Sequence, residues 1–346
     1  MNWKAKIVRL LIIGVMTSFD KAVADSAIIP PALQPGDKIA ILAPAGPVKW
    51  DKVKGASEVI RELGYEPVVY PTVHMKSGQV SGSPAQRFAD VRKAFEDPEI
   101  KAILCARGGY GLVHIMDSLA TLPIEDNPKW VVGFSDISAF HALLASKGVA
   151  SIHGSMCHHI ARGMEEPENV MLFQLLANRF PACSFEADYR NHPGHGEGRL
   201  LGGNLSVIQA LIATPYDLIQ PGSILFIEDV DEPIYKVERI MYQLRLSGIL
   251  DRLSGIIIGQ FTGYKEDQNH TSMEQMLAEV LSDYPDLPVA FNIPIGHIRH
   301  NTPLVVSADV SLDVRPDGVT LSYIGNFSPS ASDDSEFDTL SNICNE

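Results

Sequence analysis

The chain has 346 residues, of which 45% are hydrophobic and 20% are charged, and this composition is typical of a globular protein with room for two domains. Its formal net charge of −14, with no cluster of Lys or Arg to offset it, excludes a protein that binds the phosphate backbone of nucleic acid. The sequence fixes no disulfide pairing, and no metal-site spacing is found among its four cysteines, which are Cys105, Cys157, Cys183 and Cys344.

The first 24 residues predict a secretory signal peptide. Basic residues precede the apolar run 10–16, and Ala22-Val23-Ala24 provides the small residues typical of a cleavage site. The apolar run is too short to form a stable membrane span. We therefore expect an exported, periplasmic protein whose mature chain begins near Asp25. The alternative is a cytoplasmic protein in which this segment is an ordinary N-terminus.

Residues 30–166 are predicted to form an N-terminal domain in which short apolar strands alternate with helices. The predicted strands are 38–45, 66–70, 102–105 and 130–133, and the predicted helices are 52–63, 84–95, 112–120 and 137–146. This alternation is typical of a parallel sheet that is covered on both faces. Ligands of such sheets bind beyond the carboxyl ends of the strands, so functional residues are expected there.

The pattern loosens over residues 167–198, which we interpret as a linker. Residues 199–326 are predicted to form a smaller C-terminal α/β domain with mixed strand pairing. Its predicted elements are a helix that opens at Gly202-Gly203-Asn204-Leu205, a helix over 235–246, and strands over 223–228, 255–260, 304–307, 311–314 and 319–323. The last segment, 327–346, is rich in Ser and Asp and is predicted to be disordered.

A β-branched run ends in a sharp turn at Val131-Val132-Gly133-Phe134-Ser135-Asp136, and a helical pattern follows at once. A serine on a strand-to-helix turn projects its hydroxyl away from the sheet, and the N–H groups of the new helix lie ready for a developing oxyanion. Ser135 is therefore a candidate nucleophile. Because serine is also a common helix N-cap, this interpretation requires a base and an orienting acid elsewhere in the chain.

Histidine is the usual base for such a serine, because its pKa lies near neutral pH. Among eleven histidines, His297 ends an apolar strand-like run in a turn, and His153 is the alternative at the end of another such segment. Glu228 closes an apolar strand, where its carboxylate would need a partner, and it is the candidate acid. Asp136 is the alternative acid. The acidic residues after Glu228 are expected in a solvated loop, and these are Asp229, Asp231 and Glu232.

Five motifs occur in a fixed order, namely Ala106-Arg107-Gly108-Gly109-Tyr110-Gly111, Gly133-Phe134-Ser135-Asp136, Gly202-Gly203-Asn204-Leu205, Glu228-Asp229-Val230 and Gly296-His297. Together they resemble the L,D-carboxypeptidases, serine peptidases that include muramoyltetrapeptide carboxypeptidase and the microcin C immunity peptidase. The resemblance runs from about Lys38 to Tyr323. It implies an N-terminal flavodoxin-like sandwich with a parallel sheet, a smaller C-terminal α/β domain with a mixed sheet, a site between them, and a homodimer. The chain departs from many relatives at His153-Gly154-Ser155, where they have His-Gly-Pro.

The resemblance also implies a role for each candidate residue. Ser135 would be the nucleophile, His297 the general base and Glu228 the residue that orients the base. The remaining roles are an oxyanion hole made by the N–H groups of Asp136 and of Gly109 or Gly108, and contacts with substrate by Arg107, Tyr110, His153 and Asn204. Arg107 is the candidate for the free carboxylate of the leaving group.

The implied reaction is release of the terminal D-alanine from peptidoglycan (murein) tetrapeptides through an acyl-enzyme, with stem peptides as the binding partners. One alternative is a peptidase that inactivates a peptidyl-nucleotide antibiotic such as microcin C. The other is an exported peptide-binding protein without turnover. No cofactor is expected, and no metal is expected because histidines 153, 158, 159, 192 and 195 lack the spacing of a zinc site.

Overall fold

The computed structural model of the chain describes residues 26–265 and 267–325, which form two β-sheets with associated helices. The strands are β1 (Lys38–Leu42), β2 (Glu66–Val69), β3 (Ile100–Cys105), β4 (Trp130–Gly133), β5 (Ser151–His153), β6 (Cys183–Phe185), β7 (Gly194–Asn204), β8 (Ile224–Val230), β9 (Gly255–Thr262), β10 (Val289–Ala290), β11 (Leu304–Val306), β12 (Asp309–Arg315) and β13 (Gly318–Tyr323). The α-helices are α1 (Trp50–Glu62), α2 (Pro84–Glu96), α3 (Met116–Leu119), α4 (Ser138–Ser146), α5 (Cys157–Ile160), α6 (Pro167–Leu176), α7 (Leu205–Gln209), α8 (Ile234–Leu246) and α9 (Met273–Leu281).

Several expectations fall outside the described residues. The predicted signal peptide over 1–24, the predicted tail over 327–346 and Cys344 all lie there. Within the described residues, the other three cysteines are buried free thiols. No helix in this part of the chain is long and apolar enough to cross a lipid bilayer.

The first sheet has the strand order β11-β5-β4-β3-β1-β2. Strands β1 to β5 pair in parallel, and β11 joins the edge of β5 in the antiparallel direction. Consecutive residues of β1, β3 and β4 are buried, so both faces of this sheet are covered. The predicted α/β fold with a parallel sheet is confirmed.

The second sheet has the order β10-β9-β8-β7-β12-β13-β6. Strands β7 to β10 are parallel neighbours, whereas β12, β13 and β6 pair in antiparallel fashion. Strand β8 is buried along nearly its whole length, while β12 and β13 alternate buried and more exposed residues. One face of the antiparallel part therefore packs on the core, and the predicted mixed sheet is confirmed.

Two segments differ from the sequence-based expectation. Strand β11 was expected to close the C-terminal sheet, yet it pairs with β5 of the first sheet, so the chain crosses back before the β12–β13 hairpin. The segment predicted as a linker contains α6, β6 and the start of β7. Strand β7 escapes recognition because it begins with several glycines. A Cβ at Gly196 or Gly198 would overlap the carbonyl oxygen of Ser254 or Gly222, so close backbone contact requires glycine there.

The two sheets meet at the carboxyl ends of β4 and β7. The backbone N–H of Asn204 donates a hydrogen bond to Ser138 Oγ at 2.9 Å, where α4 begins. Gly203 has a φ of 142°, and a Cβ there would overlap the Ser138 side chain. The strand ends at which parallel-sheet proteins bind ligands thus lie side by side in this molecule.

Candidate active site

Ser135 occupies the sharp turn between β4 and α4. Its backbone φ is 67°, in the left-handed region that residues with a side chain rarely adopt. A short 3-10 helix, Ser135–Ile137, begins at this residue and leads into α4. The close approach of Ile137 explains Gly133, because a Cβ there would lie 3.0 Å from the Ile137 side chain. Such strain on a partly exposed serine is typical of a nucleophile turn.

The glycine-rich loop after β3 lies against this serine. A Cβ on Gly108 would stand 2.7 Å from Ser135 Cβ and 3.1 Å from Ser135 Oγ. The next residue, Gly109, has a φ of 95° and packs against Gly46. The structure thus brings two of the predicted oxyanion-hole residues, Gly108 and Asp136, directly beside Ser135, with Gly109 next in the loop.

Two buried charged residues hold this loop in place. Asp136 accepts a hydrogen bond from the N–H of Leu112 at 2.8 Å, so its carboxylate caps the helical turn after the loop. Burial raises the pKa of Asp136, and the hydrogen bond from Leu112 opposes that shift. Arg87, fully buried in α2, donates to the carbonyl oxygens of Pro44 and Gly111, both at 2.7 Å. Burial lowers the pKa of Arg87, while Asp136 raises it.

Sequence reasoning missed Arg87. Its position in α2 follows an ordinary helical pattern, and only the fold shows that the guanidinium points inward. A buried arginine that binds two loop carbonyls fixes backbone positions that glycine alone would leave free.

Glu228 and His297 form a hydrogen-bonded pair. The distance from His297 Nδ1 to Glu228 Oε2 is 2.7 Å, and the Glu228 side chain is fully buried near the end of β8. A Cβ on Gly296 would lie 2.7 Å from Glu228 Oε2, and one on Gly259 would lie 3.2 Å from Glu228 Cβ. Glycines on both sides therefore leave room for the carboxylate. Because Nδ1 of His297 is engaged, Nε2 is the ring nitrogen left to exchange a proton.

Phe134 joins this pair to the serine turn. Its ring centroid lies 5.0 Å from that of His297 in an edge-to-face arrangement, and Phe134 immediately precedes Ser135. The same ring also contacts His159 at 5.4 Å and His153 at 5.7 Å. Residues from three distant parts of the chain, Ser135, Glu228 and His297, are thereby brought into one region of the molecule.

The loop that carries His297 is anchored at a second point. Arg299 donates to Glu166 at 2.7 Å, and His300 Nδ1 lies 3.2 Å from Glu168. Both carboxylates are largely buried, and with His300 they form a group whose ligand atoms lie within 4.8 Å of one another, as a metal site would require. These contacts of Arg299 with Glu166 and of His300 with Glu168 tie the His297 loop to the start of α6.

Two predicted substrate contacts have other roles in the structure. His153 is fully buried between the rings of Phe134 and Phe226, and burial lowers its pKa well below the usual value. It is therefore a neutral core residue, not a surface that meets substrate. Asn204 is also buried, and its amide caps α7 by accepting from Val207 and donating to Asp229.

Asp229 itself corrects a prediction, because it is buried where a solvated loop was expected. It accepts hydrogen bonds from the N–H groups of Ser206 and Val230 and from Asn204. Burial raises its pKa to about 6, and the neighbouring Glu228 adds to that shift. The carboxylate thus fixes the start of α7 beside Glu228.

Arg107 and Tyr110 are exposed on the glycine-rich loop, as a contact with substrate requires. Arg107 donates to the carbonyl of Pro47 at 2.8 Å. Tyr110 packs edge-on against His114, with 5.2 Å between ring centroids. Both residues flank Gly108 and hence Ser135.

Comparison with known proteins gives consistent matches. The LD-carboxypeptidase N-terminal domain family matches residues 39–154, and the LD-carboxypeptidase C-terminal domain family matches residues 197–312. A Bacillus subtilis (strain 168) protein named "Probable murein peptide carboxypeptidase" is 30% identical over 295 residues, which cover 82% of this chain and 91% of that protein.

Two solved structures are similar to this one. The crystal structure of muramoyltetrapeptide carboxypeptidase from Oxalobacter formigenes has a TM-score of 0.76 and 26% identity, and the match covers 85% of this chain and 100% of that chain. The microcin C7 self immunity protein MccF, in complex with aspartyl sulfamoyl adenosine, has a TM-score of 0.75 at 20% identity, over 86% of this chain and 99% of that one. The likeness to MccF concerns the fold alone.

Proposed function

The chain belongs to the LD-carboxypeptidase family and is a carboxypeptidase, and from this premise we propose that it releases the terminal D-alanine of murein tetrapeptides with Ser135, His297 and Glu228 as its catalytic triad. The observation that carries the proposal is the 2.7 Å hydrogen bond between His297 and buried Glu228. Phe134 packs on His297, and the residue that follows it, Ser135, has a φ of 67°. Relatives named for murein peptides support the choice of substrate.

The proposed reaction begins with attack of Ser135 Oγ on the carbonyl of the third stem residue, as His297 Nε2 takes the serine proton. Glu228 orients the imidazole and stabilises its charged form through Nδ1. The N–H groups of Asp136 and of Gly108 or Gly109 would bind the oxyanion. His297 then protonates the departing D-alanine amine, and an acyl-enzyme remains. Water, activated by the same histidine, releases the tripeptide and restores the serine.

The D-alanine that leaves carries a free carboxylate, which needs a cation nearby. Arg107 is the proposed partner, because it is exposed on the loop whose Gly108 touches Ser135. Tyr110, half exposed on the same loop, would cover the neighbouring part of the peptide.

The substrate is tested by incubating the purified protein with L-Ala-γ-D-Glu-meso-diaminopimelate-D-Ala and measuring free D-alanine, with a peptidyl nucleotide of the microcin C type in parallel. We expect release of D-alanine and the tripeptide. Turnover of the peptidyl nucleotide alone would assign the chain to the immunity branch. Tight binding of the tetrapeptide without turnover would make it a peptide-binding protein.

We also propose export and a homodimer. The proposal of export is supported by the N-terminal sequence, which has a basic start, the apolar run 10–16 and the small residues Ala22-Val23-Ala24. The dimer rests on the family resemblance and on three large apolar side chains exposed along α8, which are Tyr235, Tyr242 and Leu246. Light scattering of the purified protein would reveal a dimer or a monomer directly.

A further inference from the structure

Helix α1 packs closely against the end of α5 at one side of the site. A Cβ on Gly55 would lie 2.9 Å from the Cβ of Ala161, which directly follows α5, so this contact requires a residue without a side chain at position 55. Lys52 and His158 each lie three residues before this contact, on the same faces of the two segments. The close approach therefore brings Lys52 and His158 to one edge of the interface.

This edge is rich in positive charge. Arg162 Nη2 donates to His158 Nε2 at 3.0 Å. Partial burial, and then Arg162, Lys52 and Lys49, lower the pKa of His158, whereas Asp51 raises it. Asp51 lies 3.3 Å from Lys52. We call Lys49, Lys52 and Arg162 the cationic rim. Asp51 and Glu166 oppose its charge, but Glu166 is already paired with Arg299, and the whole chain has a net charge of −14.

The cationic rim adjoins the triad. Arg162 Nη1 donates to the carbonyl oxygen of Arg299 at 3.2 Å, two residues beyond His297. His159, next to His158, packs against Phe134, which precedes Ser135. The rim therefore borders the same loop and the same aromatic ring that bring His297 to the serine turn.

We propose that the cationic rim of Lys49, Lys52 and Arg162 binds the carboxylates on the acyl side of the substrate, at the second and third stem residues. This rests on the proposed function, in which the substrate is an anionic peptide. A protein with a large negative charge repels such a peptide at long range, and a local cluster of cations beside the site overcomes that repulsion and orients the approach. Arg107, which contacts Pro47 two residues before Lys49, would bind the D-alanine carboxylate next to the rim.

The test uses two tetrapeptides. The first has free carboxylates at the second and third residues, and the second carries amides there but keeps the D-alanine carboxylate. The double variant Lys49→Gln, Lys52→Gln should raise KM for the free acid about fivefold with little change in kcat, while KM for the diamide stays as in the wild type. Added salt should raise the wild-type KM for the free acid more steeply than that of the variant.

Lys54→Gln is the matched control, because it makes the same change on the same helix at an exposed lysine that faces Glu58 at 3.8 Å. It should leave KM for both peptides unchanged. The proposed role of the cationic rim would be overturned if the double variant left KM for the free acid unchanged, or if it raised KM equally for both peptides. Failure of the wild type to release D-alanine from either peptide would instead refute the proposed function, and the rim with it.

Discussion

Ser135 holds a left-handed backbone conformation that costs a residue with a side chain about 1 kcal/mol or more. Neighbouring glycines leave the space that this conformation needs. A side chain at position 133 would collide with Ile137, and a side chain at position 108 would collide with Ser135. Phe134, extended at a φ of −152°, places its ring against His297. A serine with no special role would not need this arrangement, which is why the turn points to a nucleophile.

The carboxylate of Glu228 is expected to set the tautomer and charge of His297. Glu228→Gln keeps the shape but can place an N–H against Nδ1, so kcat for D-alanine release should fall by about 10³-fold or more, with KM changed little. Glu197→Gln is the control, because Glu197 also faces a histidine, His195 at 3.4 Å, on the exposed surface. Equal and small effects of the two substitutions would show that Glu228 plays no catalytic part.

Gly108 should tolerate no side chain. In Gly108→Ala the new methyl would lie 2.7 Å from Ser135 Cβ, so either the loop or the serine must move, and kcat/KM should fall about 100-fold or more. Gly148→Ala serves as control, because Gly148 has a φ of 67° but open space around its Cα. That variant should lose stability in thermal melts yet keep its activity. An active Gly108→Ala protein would place the oxyanion hole elsewhere.

At the scale of elements, β4, α4 and β5 are joined by one buried histidine. His141, in α4, contacts the carbonyl of Gly133 through Nε2 and Ser151 Oγ through Nδ1, both at 2.8 Å. A carbonyl only accepts, so Nε2 of His141 carries a proton. Burial lowers the pKa of His141 to about 4, so the imidazole is neutral near pH 7 and its Nδ1 accepts from the Ser151 hydroxyl. His159 is similar, since burial lowers its pKa to about 4 as well.

Acid should therefore destabilise the fold. The contribution of these neutral histidines to stability is complete above the unfolded-state pKa of about 6.5 and is lost as the pH falls towards 4. In this range the histidines bind protons in the unfolded chain but not in the folded one. Each such histidine should cost about 2 kcal/mol of unfolding free energy between pH 7.5 and pH 5. Urea unfolding at several pH values measures this, and His141→Asn should flatten the pH dependence by one such increment. An unfolding free energy that is independent of pH in this range would contradict the assignment of neutral buried histidines.

Elements with a clear hydrophobic period were predictable from the sequence, and β4 and α8 agree with the patterns within a residue or two. Strand β7 was not, because close backbone contact selects glycine in place of apolar residues. The sequence also could not predict which sheet β11 joins, because the pairing of β11 with β5 depends on how two distant segments pack.

The candidate site divides in the same way. Ser135, Glu228 and His297 could be proposed from the sequence because each ends a recognisable apolar strand or run, and because the five motifs together resemble the L,D-carboxypeptidases. Arg87 was not found, because the pattern of α2 does not reveal which polar side chain turns inward. The burial of Asp229 was missed because a run of acidic residues is typical of a solvated loop.

At the scale of the whole molecule, two sheets meet with their strand ends side by side, and the hydrogen bond from Asn204 to Ser138 marks the junction. The serine and the Glu–His pair therefore belong to different sheets, since Ser135 follows β4 and Glu228 lies in β8. Catalysis would depend on this junction keeping the two sheets in the same relative position. We propose that the cationic rim attracts anionic peptides to a protein whose net charge is −14.

Export can be tested by intact mass measurement of the protein produced in a bacterial host. We expect a mature chain that begins near Asp25, because Ala22-Val23-Ala24 supplies the small residues that a signal peptidase requires. Ala24→Arg should block cleavage and leave a heavier precursor. Wild-type protein that keeps its first 24 residues in the cytoplasm would show that the N-terminus is no signal peptide.

We propose that Ser135 is the nucleophile and that His297 and Glu228 make it reactive. The most direct measurement is the rate of D-alanine release from saturating tetrapeptide by Ser135→Ala, compared with the wild type at equal thermal stability. We predict a loss of about 10⁴-fold or more, because in this mechanism the acyl-enzyme forms on the Ser135 hydroxyl. A Ser135→Ala protein that retains more than a tenth of the wild-type rate would contradict the account.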